Sequence, residues 1–153
     1  MKNLWRVPVL CLAGNWVAFY LTVYLGRFFF VVKTMGEDGN MIVSADPVRS
    51  LIFKWVLFFL VLFVGGICFL RCMTKKEIAL SAGIMSGIYL ILVLLQLYLP
   101  SFPLGVSVFL AQFQDWTGTV SNTLYQITGN LTLSAIAACF CPFLFVFFGK
   151  SKT

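Results

Sequence analysis

The chain has 153 residues and a net charge of +6, yet 61% of it is hydrophobic and only 10% is charged. Soluble proteins carry roughly 25% charged residues, so a water-soluble globular fold is excluded by composition. The long charge-free runs and 17 Phe residues point instead to one membrane domain spanning residues 1–153.

The positive charge sits at the ends of apolar runs and forms no single basic stripe. It therefore reads as a topology signal, and nucleic acid is not an expected partner. There is no histidine, which removes the commonest general base and the commonest metal ligand. The acids are Glu37, Asp38, Asp46, Glu77 and Asp115, and none lies in the middle of an apolar run. Proton-coupled transport and intramembrane metal chemistry usually need a group there. No catalytic residue, metal site or cofactor is expected.

The first apolar run covers about residues 7–32, behind Lys2 and Arg6. It is too long for a signal peptide and reads as a retained signal-anchor span. A loop over 33–50 follows, with Gly36, Gly39 and Asn40 as turn residues and a short strand expected over 41–44. Asp46-Pro47 reads as a helix start, with Asp46 as N-cap and Pro47 in the first helical position. The second run covers about 51–70 and the third about 78–99. Between them, Thr74 and Glu77 have the spacing of a capping box. The fourth run covers about 131–148. Each is near the roughly 20 residues that cross a bilayer, and backbone in lipid must satisfy its own hydrogen bonds. The expected fold is an all-α integral membrane protein, a bundle of four transmembrane helices.

Lys and Arg set the orientation. With the N-terminus inside, the inner segments hold Lys2, Arg6, Arg71, Lys75, Lys76, Lys150 and Lys152, and the outer side holds Arg27, Lys33, Arg49 and Lys54. Both termini are therefore expected to be cytoplasmic. Tight loops and Lys/Arg-flanked spans resemble the many small four-span proteins of bacterial cytoplasmic membranes, which is a size class and not a family.

Residues 101–130 contain no Lys or Arg and one acid, Asp115. Val106, Phe109, Leu110, Phe113, Trp116, Val120, Leu124 and Ile127 recur at three- and four-residue spacing, while Gln112, Thr119, Asn122 and Gln126 lie opposite them. This predicts an amphipathic, interfacial helical segment between the third and fourth helices, broken at Gly118, that caps the bundle or simply connects its helices.

Small residues suggest where helices approach closely: Gly14 and Ala18 in the first span, Ala79, Gly83 and Gly87 in the third, Ser134 and Ala138 in the fourth. They allow packing within one chain or between copies. Asn15 and Ser86 are expected to hydrogen-bond across helices. The five cysteines include no C-x-x-C and none in an outer loop, which speaks against thiol redox chemistry.

Arg27, Lys54, Gln96 and Asn130 fall at similar depth on neighbouring spans. Together they form a candidate ligand site, a cationic layer suited to a phosphate or carboxylate. Alternatively, Arg27 and Lys54 snorkel to the interface or pair with nearby acids.

The expected function is that of a non-enzymatic accessory or regulatory subunit, or a homo-oligomer, acting by helix association. Its partners would be the lipid bilayer and either a membrane protein or another copy. A small transporter or channel with an outward-facing cationic site is the alternative. A lipid- or quinone-linked enzyme would have to draw on Asp46, Asp115, Tyr125 or Glu37 near the outer surface.

Overall fold

A computed structural model describes residues 4–35, 40–98 and 115–150, without the side chains of Ile42, Tyr98 and Asp115. Four helices are long and apolar enough to cross a membrane: Arg6–Phe29, Pro47–Leu70, Lys75–Leu97 and Leu131–Phe148.

Helix α1 (Arg6–Phe29) stops short of residue 32, where the first apolar run was expected to end. The Phe30 N–H bonds the Gly26 carbonyl, and the β-branched Val31 and Val32 then begin an extended strand. Strand β1 (Val31–Met35) pairs antiparallel with β2 (Met41–Ala45), from Val31 opposite Ala45 to Met35 opposite Met41. A run read from hydropathy alone cannot separate the end of an apolar helix from an apolar strand.

The Asp46 N–H donates to the Phe30 carbonyl at 2.8 Å, which closes the hairpin and starts α2 (Pro47–Gly65). The Asp46 side chain accepts from the N–H groups of Val48 and Arg49 at 2.9 and 3.2 Å, the N-cap read from the Asp-Pro pair. Helix α2 continues as a π turn, Gly66–Leu70. Both glycines at this junction lie under large side chains. A Cβ on Gly65 would sit 2.7 Å from Leu10, and one on Gly66 2.5 Å from Phe148.

The capping box forms at the start of α3 (Lys75–Tyr98). The Thr74 N–H and hydroxyl both donate to Glu77 Oε2, at 3.0 and 2.9 Å. The inward face of α3 carries Ile78, Ala82, Met85, Tyr89 and Val93, at the three- and four-residue steps of one helical stripe.

Helix α4 (Asp115–Thr128) runs unbroken through Gly118, where a break was expected. It also does not lie across the bundle. Trp116 bonds Asn15, Thr119 shares a cavity with Ala18, Thr22 and Lys54, and Thr123 bonds Trp55. Helix α4 therefore runs alongside α1 and α2, with its first turn buried among them. The expected interfacial segment is corrected to that extent; its residues 101–114 lie outside the described part of the chain.

After Gly129, at a φ of 67°, the chain turns back into α5 (Leu131–Ala138). The fourth span is not one α-helix. It passes into a 3-10 helix, Cys141–Phe148. Pro142 is the cause, because it lacks an N–H and its ring would clash with the carbonyl four residues back. The 3-10 helix packs on α3, and its end is tied down by Lys150, whose N–H donates to the Met73 carbonyl at 2.9 Å.

Of the small residues, Gly14, Ala18, Ser134 and Ala138 are buried. Gly14 touches α2 directly, since an added Cβ would lie 2.5 Å from Val61 Cγ1. The β-branched Val61 has little rotamer freedom with which to yield. Gly14→Ala is expected to destabilise the protein by about 1–3 kcal/mol, read from unfolding in mixed detergent micelles. The α3 stripe is placed differently. It is offset by one residue from the buried face at Ile78 and Ala82. A Cβ on Gly83 would find only Phe143, at 3.9 Å, and one on Gly87 nothing within 4 Å among the described residues.

Candidate functional site

The first N–H groups of any helix lack partners within it, and a helix start buried in an apolar bundle must find them elsewhere. Helix α4 finds one in Asn15, which is wholly buried on α1. The Asn15 Oδ1 accepts from the Trp116 backbone N–H at 3.1 Å. The Asn15 amide donates to the Tyr89 hydroxyl at 3.0 Å. The Trp116 indole Nε1–H donates to the same hydroxyl at 3.1 Å. One neutral triad thus joins α1, α3 and α4.

Apolar packing completes the junction. The Trp116 ring stacks on Phe58 of α2, with centroids 5.3 Å apart and planes at 21°. Phe145 of the 3-10 helix lies 5.7 Å away on a tilt. Trp116 is 1% exposed, and it is where all of these elements meet.

Next to the triad is a cavity of about 10 Å³, bounded by Thr22, Lys54, Leu57, Phe58, Trp116 and Thr119. That is room for about one water. The Thr22 hydroxyl donates to the Ala18 carbonyl at 2.7 Å, so its oxygen faces other partners as an acceptor. One turn further along α4, Trp55 Nε1–H donates to Thr123 Oγ1 at 3.2 Å, and the Thr123 hydroxyl donates to the Thr119 carbonyl at 2.9 Å. The inward face of α4 is therefore Trp116, Thr119 and Thr123, at helical spacing.

Of the four residues proposed from sequence as a cationic layer, Lys54 alone lines this cavity. It is half-buried and makes no ion pair among the described residues. Arg27 is exposed, with its guanidinium 4.7 Å from the Phe28 ring centroid. Gln96 is half-buried on α3. Asn130 is exposed at the α4–α5 turn, where its Oδ1 caps α5 through the Leu133 N–H at 3.1 Å. Of the four, the cavity beside Trp116 takes in Lys54 and not Arg27, Gln96 or Asn130.

Sequence reasoning named Asn15 as a cross-helix hydrogen-bonding residue but not its partners, Tyr89 and Trp116. Ser86 is buried too, but its hydroxyl has no partner among the described residues. Cys11, Cys139 and Cys141 are buried, Cys68 and Cys72 are exposed, and all five are free thiols. The triad contains no carboxylate, and its groups are engaged in holding α4. Its chemistry is that of a fastening.

No protein family matches the chain, and neither a curated protein nor a solved structure is similar to it.

Proposed function

We propose that this chain is a non-enzymatic membrane protein that works by association, as a homo-oligomer or as a subunit beside another membrane protein. Its location in this reading is a bacterial cytoplasmic membrane, with both termini on the cytoplasmic side, following the Lys and Arg distribution.

The observation that carries the reading is the placement of Gly83 and Gly87. They lie in a helix long and apolar enough to span a membrane, and the described fold makes little use of them. Lipid offers no hydrophobic force between helices, so close backbone approach along small residues is the main route to association. Ala79, Gly83 and Gly87 offer such a strip on the outside of α3. A transporter reading has less support, because the space beside Lys54 is about one water in size and the proton of Thr22 is already committed.

Native mass spectrometry of the protein, released gently from its membrane, tests the reading. Wild type is expected as a homo-oligomer or a stoichiometric complex. Gly87→Leu is expected to release the monomer while unfolding as wild type does, since no described group lies where the new side chain begins. A wild-type monomer in the mildest detergent, with no cross-linked species in intact membranes, would overturn it.

A further inference from the structure

Between the first turns of α1 and the π turn that ends α2 runs a groove of about 490 Å³. Val9, Ala13 and Phe69 form its apolar walls, with Trp5, Arg6 and Cys68 beside them. From Arg6 to Ala13 it follows α1 for about two turns, or ~11 Å. Trp5 is 72% exposed, an amphipathic ring of the kind that settles at the boundary between hydrocarbon and headgroups.

Arg6 distinguishes this groove. Its guanidinium donates to the Phe69 carbonyl at 3.3 Å, one of the carbonyls that a helix end leaves without a partner. That bond fixes the side chain across the groove and uses one of five N–H donors. Arg6 is exposed and has no carboxylate partner among the described residues. A second apolar groove, of about 340 Å³, lies at the other end of α2 along Phe29, Ile52, Phe53 and Val56, and it also carries an arginine. There Arg49 is paired with Asp46 at 3.4 Å. One end thus offers an apolar trough under an uncompensated guanidinium, and the other a comparable trough under a neutralised one. Arg71, Lys75, Lys76 and Lys150 add positive charge at the Arg6 end.

We propose that the Arg6 groove is a binding site for an anionic phospholipid, whose phosphate meets the Arg6 guanidinium and whose acyl chain lies along Val9, Ala13 and Phe69. A planar guanidinium suits a phosphate better than an ammonium does, because two parallel N–H groups meet two oxygens. A zwitterionic lipid fills the same trough but brings its own cation to the headgroup, so it gains less from Arg6.

The test is competition between phosphatidylglycerol and phosphatidylcholine with matched acyl chains, added in equal amounts to the detergent-solubilised full chain. Bound lipid is read by native mass spectrometry. Wild type should retain phosphatidylglycerol with a preference of about fivefold. Arg6→Gln should erase the preference, and Arg49→Gln should leave it intact. Ala13→Phe, at an exposed position on the groove wall, should remove the bound lipid of either kind. Equal retention of the two lipids by wild type would overturn the proposal. So would a preference that survives R6Q, or an equal loss in R49Q, which would make the effect one of general surface charge. If R6Q does not fold, Ala13→Phe decides: an undiminished lipid adduct in that variant also overturns it.

Discussion

Trp116→Ala is expected to destabilise the protein by about 3–5 kcal/mol, the usual range for removing a buried aromatic side chain. Three losses combine. The indole leaves a cavity between Phe58 and Phe145, which now stack and tilt against it at 5.3 and 5.7 Å. The Tyr89 hydroxyl loses a donor at 3.1 Å. The first turn of α4 loses a large side chain that reaches both α2 and the 3-10 helix. Trp116→Phe separates these effects. It restores most of the ring packing but not the Nε1–H, so its cost should be distinctly smaller. Detergent-denaturant titration followed by tryptophan fluorescence and far-ultraviolet circular dichroism measures both. If Trp116→Ala cost under about 1 kcal/mol, the junction would not hold the fold together.

Asn15→Leu is expected to cost about 2–4 kcal/mol, although leucine is the better residue for an apolar helix. Each buried polar group left without its partner costs about 1–3 kcal/mol. Leucine strands the Trp116 backbone N–H, which now meets Asn15 at 3.1 Å, and takes from the Tyr89 hydroxyl one of its two donors, the Asn15 amide at 3.0 Å. Asn15 and Trp116 act through the same contacts, so the double variant should be less destabilised than the sum of the two. A coupling of about 1 kcal/mol or more marks a shared network, and strict additivity would mean that the two residues act separately. Hydrogen exchange at the start of α4 gives a second readout. It should rise in Asn15→Leu well before α3 is affected, because Asn15 is what holds that helix start.

The α4 segment shows why a sequence reading goes astray here. Its apolar and polar positions alternate at helical spacing, yet the buried residues come from both sets, Trp116 from one and Thr119 from the other. Thr117 and Thr119 are buried, while Ile127 is 76% exposed. In water the apolar face turns inward. In a helix that runs beside apolar spans, hydroxyls do better against neighbouring helices and backbone carbonyls, and an isoleucine loses nothing by facing lipid. Period alone states that a helix has two faces and leaves open which one meets the protein.

Local chemistry was legible without the tertiary structure. Composition and run length determine the four long apolar helices, because segments of that length and hydropathy have no comparable alternative. The start of α2 is written in Asp46-Pro47 and the start of α3 in Thr74 and Glu77, because a cap is made by residues within three positions of one another. The strand expected over 41–44 is present as Met41–Ala45. Its partner over 31–35 was hidden at the end of an apolar run.

Everything that depends on distant pairing was decided only by the fold. Asn15, Tyr89 and Trp116 are separated by up to 101 residues, and no local pattern says that one phenol accepts from both of the others. The same holds for the glycines. Gly14 and Gly87 look alike in sequence, yet one lies against Val61 and the other against nothing described within 4 Å. Arg6 reads in sequence only as a topology signal, and it is the fold that lays it against the Phe69 carbonyl, 63 residues away. Composition and short-range spacing determine what each segment is, since propensity, capping and hydrophobic transfer act over a few residues. Which faces meet, and so which polar groups and cations are left with a task, is settled by packing between segments far apart in the chain.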